Sequence, residues 1–309
     1  MNIVYQIIIG IYFVLLSKSI SAQHSFPNTI NAKLINEKIS FDGKLNDSAW
    51  QSANKISNFT QRELAFGNPA TEKTEVAIVY DKLAMYIGVW CYQKDAHIQA
   101  KFMQRDFSYE EDDNFKIVLS PFNDKRNGYL FIINPNGARA DLLVSGNEDA
   151  NKDWNGVWDA KTSITNEGWF AEITIPFNSL QFKKENVNNW AINFERNIRF
   201  KNEQVLWQGW TRDCSIYCLV NAGTLNGLQN IGYARRFEFK PYLLGAFENK
   251  RNQSATFPNK VGGDLNVNLT PTLKLNITAN TDFAQVEADR IAVNLSRFSL
   301  FYPEKREFF

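Results

Sequence analysis

Apolar and polar residues alternate along three neighbouring segments in the middle of this chain. Successive side chains of a β-strand point to opposite faces, so alternate residues share a face. The first two segments present on one face Phe115, Ile117 and Leu119, and then Tyr129, Phe131 and Ile133. Asn136-Gly137 follows, a dipeptide that favours a two-residue hairpin turn, and residues 138–144 are predicted to return antiparallel.

The same period recurs on both sides of this region. Residues 74–80 alternate up to Asp81-Lys82, a predicted turn, and residues 85–91 alternate after it, which predicts a hairpin. Apolar side chains occupy both faces there, which indicates two stacked sheets. Further strands are predicted at 169–175 and 190–198, with a short helical link between them at 177–180. No segment from 40 to 235 has the pattern of a long amphipathic helix, so the fold class is all-β, a β-sandwich.

A short helical turn interrupts this pattern near the start. Asp42-Gly43 predicts a tight turn, and Asn46 or Asp47 is placed to cap a helical turn that buries Trp50. Trp50 is interpreted as a core residue.

Beyond residues 232–236 the pattern changes to longer hairpins. Apolar and polar residues alternate at 265–269 and again at 273–279, on either side of Thr270-Pro-Thr272. One apolar and one polar face is the repeat unit of an outer-membrane β-barrel, although a hairpin of a soluble sheet has the same pattern. We interpret residues 236–309 as the N-terminal portion of an incomplete barrel that associates with the outer membrane, and the chain as a fragment or an N-terminal half.

The N-terminus has the features of a secretory signal. Residues 3–16 form an uncharged apolar run interrupted only by Gln6 and Gly10, and small residues at 19–22 predict cleavage after Ala22. We therefore expect a signal peptide at 1–22 and an exported protein, in the periplasm or at the surface of a Gram-negative cell. Cys214 and Cys218 are close enough in sequence to form a local disulfide, and Cys91 lies in a strand pattern.

Charge and composition exclude some partners and leave others. The chain has 309 residues, and its 34 lysines and arginines nearly balance 33 aspartates and glutamates, so nucleic acid is not an expected partner. Aromatic residues reach 14 %, which leaves rings available for a binding surface. Motifs of phosphate-binding loops, zinc helices and nucleophile elbows are absent from the sequence.

Several motifs together resemble the family 9 carbohydrate-binding module. These are FDGKLNDSAW, TEVAIVYDKLAMYIGVWCYQKD, a strand that follows paired carboxylates, and GWFAEITIPFNSL, and the resemblance covers about residues 33–230. NPNGARAD, DWNGVWDA, INFERNIR and the segment 281–309 resemble exported bacterial proteins in which this module precedes a membrane-associated β-barrel domain of unknown function. The resemblance implies a β-sandwich that binds sugar between two tryptophans, calcium ions that support the fold, and a link to glycan (polysaccharide) catabolism.

Candidate ligand-binding residues cluster around the central segments. Tryptophan rings stack on the apolar C–H face of a sugar, and carboxylates, amides and guanidinium groups pair with its hydroxyls. We expect Trp154 and Trp158, with Trp90 as a second candidate, to form an exposed platform for a mono- or oligosaccharide. The polar partners available to it are Arg105, Asp106, Asn134, Arg139, Asp141 and Asn155.

Asp112 and Asp113, which follow Glu110 and Glu111, are the candidate metal ligands. Calcium prefers several oxygen ligands, and carboxylates in one loop supply them, although a solvated loop would have the same composition. Two alternatives to sugar binding stay open. The sandwich could be a structural or docking cap of a membrane barrel, with Trp154 and Trp158 buried. It could also be a glycoside hydrolase acting on O-glycosyl bonds, which needs two carboxylates that face each other in a cleft.

Overall fold

The computed structural model describes residues 28–93, 98–147, 149–152, 154–183, 185–209, 215–232, 237–245, 259–270 and 273–280. Within these residues the protein consists of β-sheets, one α-helix of four residues, α1 (Ser48–Gln51), and three 3-10 helices at Phe177–Ser179, Arg199–Lys201 and Leu219–Asn221. The all-β prediction is confirmed. The predicted signal peptide at 1–22 and the segment 281–309 lie outside the described residues.

A nine-stranded sheet forms one layer of a β-sandwich. Its strands run in the order β1, β15, β13, β7, β8, β9, β10, while β14 pairs with β13 and β4. Neighbours along this order are antiparallel except β1 and β15, which are parallel. The strands are β1 (Thr29–Asn31), β4 (Thr60–Glu63), β7 (Asn114–Ser120), β8 (Gly128–Ile133), β9 (Arg139–Ser145), β10 (Asp149–Asn151), β13 (Val187–Ile198), β14 (Glu203–Leu206) and β15 (Gly223–Gln229).

A six-stranded sheet forms the second layer. Its order is β11, β12, β6, β5, β2, and β3 also pairs with β5. The strands are β2 (Lys33–Leu34), β3 (Lys55–Ile56), β5 (Thr74–Tyr80), β6 (Ala84–Tyr92), β11 (Asp159–Thr165) and β12 (Gly168–Pro176), the last followed by a 3-10 turn at Phe177–Ser179. The predicted hairpin at 74–91 and the helical link after Pro176 are confirmed.

The core between the sheets follows from the period of two. Phe115, Ile117 and Leu119 of β7 meet Val76, Ile78 and other inward residues of the six-stranded sheet in one buried cluster. Burial of apolar surface contributes roughly 25 cal/mol per Å², so a one-residue shift of register, which would move this whole set to the outer face, is strongly disfavoured.

The outer face of each sheet carries a smaller core. On the nine-stranded sheet, Val118 and Leu142 pack under two covering segments, which contribute Phe107 and Ile216. On the six-stranded sheet, the covering segment is residues 35–53, which contains α1. Three layers of apolar packing therefore hold the sandwich together.

The turn after β8 differs from the predicted two-residue hairpin. Five residues separate β8 from β9, and within them only Gly137 has a positive φ, of 81°. Asn134 closes this loop, because its backbone N–H donates to the Ala138 carbonyl at 3.1 Å and its Oδ1 accepts from Ala138 N at 2.8 Å. The Asn134 side chain, which takes the place of a backbone acceptor, stabilises the longer loop.

A separate three-stranded sheet follows the sandwich. Its strands are β16 (Phe237–Gly245), β17 (Asn259–Thr270) and β18 (Leu273–Ala279), paired antiparallel in that order. The predicted hairpin on either side of Thr270 is confirmed, while the barrel and the domain division at 33–230 and 236–309 stay predictions. None of the helices among the described residues is both long and apolar enough to span a membrane.

Two cysteines are placed by the structure. Cys218 is disulfide-bonded, in line with the predicted local bridge, and its predicted partner Cys214 lies outside the described residues. Cys91 is a free, buried cysteine, and burial raises the pKa of its thiol to about 12.

Glu172 anchors the N-terminal covering segment to the six-stranded sheet. Its buried carboxylate accepts hydrogen bonds from Asp42 N at 2.9 Å, Gly43 N at 2.8 Å and Trp50 Nε1 at 2.9 Å. Gly43 has a φ of 84°, and an added Cβ would meet the Thr162 carbonyl carbon at 2.9 Å. Only glycine therefore fits this turn.

We predict that Glu172→Ala lowers the free energy of unfolding by at least about 2 kcal/mol, because three donors lose their acceptor. Urea unfolding followed by tryptophan fluorescence measures this. Glu167→Ala is the matched control, since Glu167 is exposed in the turn before β12. Equal stability of the two variants would contradict the anchoring role of Glu172.

Candidate functional site

The tryptophans predicted to form an exposed platform are mostly buried. Trp158 is 5 % exposed and Trp90 is 7 % exposed. Trp154 is half-buried, with its ring centroid 5.0 Å from that of Tyr129 and 6.0 Å from that of Phe131. The prediction of three solvent-presented indoles is therefore wrong for Trp158 and Trp90, because each fills a gap in an apolar cluster.

The two buried tryptophans also lie on different faces. Trp158 belongs to the core between the sheets, where it packs against Phe131. Trp90 points to the outer face of the six-stranded sheet, with Trp50 at 6.2 Å and Lys55 Nζ 3.7 Å above its ring. A sugar cannot contact both rings at once, so a clamp formed by this pair is excluded.

Four of the predicted polar residues do come together. Arg105 forms an ion pair with the buried Asp141 and donates from Nε to Asn155 Oδ1 at 3.1 Å. Asp106 lies 3.8 Å from Arg105 Nε and is exposed. Asp141 also accepts the backbone N–H of Gly156. Because these contacts hold residues 154–158 over the edge of β9, they stabilise a loop.

Asn134 and Arg139 have similar supporting contacts. Asn134 Nδ2 donates to the Phe102 carbonyl and to Asp112 Oδ2, both at 2.8 Å. Arg139 donates to the Trp158 carbonyl at 2.5 Å and to Asp159 Oδ1 at 2.7 Å. Both side chains therefore connect segments of the fold.

Asp112 and Asp113 do not have the contacts expected of calcium ligands. Asp112 is fully buried and accepts the backbone N–H groups of Lys101 and Phe102 at 2.9 and 3.1 Å. Asp113 accepts those of Gln99 and Arg199 at 3.2 and 2.6 Å. Burial raises the pKa of Asp113, against the effect of these hydrogen bonds.

These two carboxylates therefore fit a role in anchoring backbone. Among the described residues, no group of three or more His, Cys, Asp and Glu side chains is arranged to hold a metal ion. Calcium binding stays a prediction that the contacts of Asp112 and Asp113 do not support.

A polar cluster that sequence reasoning missed lies on the outer face of the nine-stranded sheet. Lys116 of β7 and Glu195 of β13 are directly opposite in the register, and Lys116 Nζ donates to Glu195 Oε1 at 2.6 Å. Both are buried. Asn197 Nδ2 donates to Glu195 Oε1 at 3.2 Å and to Asn114 Oδ1 at 3.0 Å, which extends the network along both strands.

Two tyrosines lie over this network. Lys116 Nζ is 5.3 Å from the ring centroid of Tyr109, whose carbonyl accepts a hydrogen bond from Asn114 Nδ2 at 2.5 Å. Tyr217, from the other covering segment, is hydrogen-bonded to Tyr109, and both rings are half-buried. Burial raises the pKa of both phenols, and the charge of Glu195 adds to the effect at Tyr217. We call Tyr109, Asn114, Lys116, Glu195, Asn197 and Tyr217 the Lys116–Glu195 cluster.

One carboxylate oxygen of this cluster can accept a further hydrogen bond. Glu195 Oε2 is buried and, within the described part of the chain, has no hydrogen-bond partner. An unpaired buried carboxylate oxygen is costly, and an ionised carboxylate is an acceptor only. The cluster therefore offers an unused acceptor beside an ammonium donor and two aromatic rings.

The sequence contains a signal for this cluster. Lys116 interrupts the apolar run of FKIVL, whereas Glu195 stands between Asn193 and Asn197 on the same face of its strand. The signal for this cluster is therefore a charged residue in one apolar strand and a polar face on another, and neither shows that the two strands are neighbours.

Solved structures similar to this chain include the following three. A crystal structure from Bacteroides uniformis, of a protein proposed to bind carbohydrate, superposes with a TM-score of 0.54 at 14 % identity, over 65 % of this chain and 99 % of the other. Family 9 carbohydrate-binding modules from Caldicellulosiruptor kristjanssonii, in complex with glucose and with cellotriose, give TM-scores of 0.47 and 0.46, both at 14 % identity and over 65 % of this chain. They cover 96 and 95 % of the respective modules. The first of these similarities establishes the fold of the sandwich.

A family model matches only the C-terminal part of the chain. Residues 234–309 match the Domain of unknown function (DUF5916). A search of curated proteins gave no match. The match at 234–309 includes β16, β17 and β18.

We predict that Trp158→Ala destabilises the fold by about 3–5 kcal/mol, the usual cost of truncating a buried tryptophan. Loss of binding in the Trp158→Ala variant would therefore not separate a binding role from a structural one, as it would for an exposed ring. Trp154→Ala is the comparison, and its half-buried ring predicts a smaller loss. Chemical unfolding of both variants measures the difference. A Trp158→Ala protein as stable as the parent would show that the ring is not a core element.

Proposed function

We propose that the β-sandwich binds a mono- or oligosaccharide at the Lys116–Glu195 cluster. The observation that carries the proposal is the buried Glu195 Oε2, which lacks a partner among the described residues. Both Lys116 and Glu195 are buried beneath the half-buried rings of Tyr109 and Tyr217, so these rings would have to move aside before a sugar hydroxyl could donate to this oxygen and accept from Lys116 Nζ. Pairing the polar groups that a ligand desolvates is the main requirement of such a site.

The aromatic residues of the cluster supply the apolar part of recognition. Tyr109 and Tyr217 are half-buried and pack against the apolar core of the same sheet face. Such rings favour the C–H face of a pyranose, and each phenol is a further hydrogen-bonding group. The likeness in fold to a protein proposed to bind carbohydrate supports the same ligand class.

The geometry favours binding over hydrolysis. A glycosidase needs two carboxylates on either side of the scissile bond. Glu195 instead contacts Lys116, and the pair is stabilised by Asn197. The proposal extends to an exported protein that assists glycan catabolism at the cell surface, and the apolar run at 3–16 supports the export.

We predict that Glu195→Gln weakens sugar binding by at least about tenfold, because the amide replaces an acceptor oxygen with a donor. Tyr217→Ala is expected to weaken binding similarly, because it removes one ring. Isothermal titration with glucose and cellotriose measures the affinity, and thermal unfolding checks that each variant is folded. Glu167→Gln, on an exposed turn, is the control and should bind as the parent does. Unchanged affinity of folded Glu195→Gln would overturn the proposed site.

A second function is supported by the three-stranded sheet. Its register places Phe239, Leu243, Val261 and Ile277 on one face, and all of them are exposed, Leu243 to 76 %. Asp264, Asn266 and Thr278 share the opposite face. Exposed apolar side chains in a contiguous set mark contact with another apolar phase. We therefore infer that this sheet attaches the protein to the outer membrane, as the start of a barrel would.

We predict that the chain floats with vesicles of phosphatidylethanolamine and phosphatidylglycerol in a density gradient. The triple variant Phe239→Ser, Leu243→Ser and Val261→Ser should lose most of this binding, because it removes the apolar contact. The matched control substitutes serine at Leu34, Leu83 and Val187, which are exposed apolar residues of the sandwich. Equal flotation of the two triple variants would contradict a membrane role for this sheet.

A further inference from the structure

Strand β11 forms an open edge of the six-stranded sheet. It has seven residues and, among the described strands, pairs only with β12. The other edge strands described in the sandwich are β1, β2, β3, β4 and β10, and each has two to four residues. Four residues of β11 are exposed, among them Ile164 to 55 %. β11 is therefore the longest strand edge that the described part of the sandwich leaves accessible.

The backbone groups on this edge are available for pairing. Ala160 N donates to the side-chain Oδ1 of Asp159 at 2.8 Å, so it does not point to β12. In an antiparallel pair alternate residues direct both backbone groups to the neighbouring strand, and Ala160, Thr162 and Ile164 therefore direct theirs away from β12. Apart from that Ala160 N–H, these groups have no hydrogen-bond partner among the described residues. The edge thus presents a row of free donors and acceptors.

β11 lacks several features that keep edge strands from pairing with another chain. Such features include a proline, a β-bulge and a charge on the inward face. The strand contains no proline, and its register with β12 continues without a shift along its whole length. Its inward face consists of Ala160, Thr162 and Ile164, which are uncharged. The turn at Gly43 covers the outer face, where Ser163 Oγ donates to the Gly43 carbonyl at 2.7 Å, and leaves the edge itself uncovered.

The inward face of β11 is complementary to that of a second copy of the same strand. Thr162 is the central residue of β11, so an antiparallel pairing centred on it uses all seven residues. Thr162 then meets Thr162 of the second copy, and Ala160 meets Ile164. Threonine pairs and apolar pairs across two strands are favourable. The exposed Ile164 side chain would gain an apolar neighbour in this register.

The outer face is complementary in the same register. Lys161 meets Ser163 of the second copy, and Asp159 meets Thr165. Like charges directly opposite each other destabilise a pair of strands, and this register has none. A self-complementary surface of this kind is what a two-fold dimer requires.

We propose that β11 is a dimer interface, at which it pairs antiparallel with β11 of a second copy of this chain. The six-stranded sheets of the two copies then form one continuous sheet across a two-fold axis at Thr162. Pairing along a single strand buries little surface, so the association is weak and depends on protein concentration. The Lys116–Glu195 cluster lies on the other sheet, so the proposed sugar site and the dimer stand or fail independently.

The first test is oxidative cross-linking of the full chain in dodecyl maltoside micelles, with copper(II) phenanthroline as the oxidant. Thr162→Cys would place two thiols opposite each other with their Cα atoms about 5.5 Å apart, a separation that a disulfide spans. Thr165→Cys is the matched control, because Thr165 is more exposed but lies far from its own counterpart in this register. Thr162→Cys should give several-fold more cross-linked dimer on a non-reducing gel. Equal cross-linking of the two variants would indicate random collision and overturn the proposal.

The second test is sedimentation velocity of the full chain in the same micelles at about 100 µM. Ile164→Lys puts a charge opposite Ala160 of the second copy, and Thr162→Pro removes an N–H that points away from β12, so neither change breaks the β11–β12 ladder. Val187→Lys is the control, at a residue 48 % exposed at the start of β13 in the other sheet. The parent and the control should contain dimer that the other two variants lose, while circular dichroism checks that each is folded.

A parent that is monomeric at this concentration would overturn the proposal. So would a dimer that persists in folded Ile164→Lys or Thr162→Pro, because the association would then occur through another surface, such as the three-stranded sheet.

Discussion

The sandwich depends on two charged neighbours in β13 that point to opposite faces of one sheet. Arg196 is fully buried between the sheets and donates to the carbonyls of Lys73 and Tyr92 in the facing sheet, at 3.1 and 3.0 Å. Glu195 points outward to Lys116. A buried cation is tolerated only when its donors are paired, so Arg196 fixes the position of one sheet against the other. Because Glu195 precedes Arg196 in β13, the same register fixes its position on the outer face of the sheet.

The architecture could be predicted from the sequence because a strand has a strict period. The alternation in residues 74–91 and 114–133 shows which side chains face inward, and a shift by one residue would turn those side chains outward. The exposure of individual rings has no such rule. Trp158 stands among polar residues in a loop, which suggested an exposed ring, yet the loop folds back and inserts it beside Phe131. Local composition does not report where a loop returns in space.

The candidate site was missed for a related reason. Lys116 is visible as an interruption of an apolar segment, but Glu195 lies among polar residues, and the two are 79 residues apart in the chain. Their relation depends on β7 pairing with β13 rather than with another strand, and that order is set by the whole sheet. Tyr217 is further removed still, because it comes from an irregular covering segment with no period to read. A single sequence does not show which strands that are distant in the chain pair in the sheet.

The carboxylates first assigned to calcium have a different importance. Asp112 and Asp113 accept backbone N–H groups from residues 99–102, so they fasten the start of the covering segment to the end of the sheet. That segment carries Tyr109 to the Lys116–Glu195 cluster. Side chains that replace backbone pairing are what allow an irregular segment to be rigid. One side of the Lys116–Glu195 cluster is therefore positioned by these two buried acids.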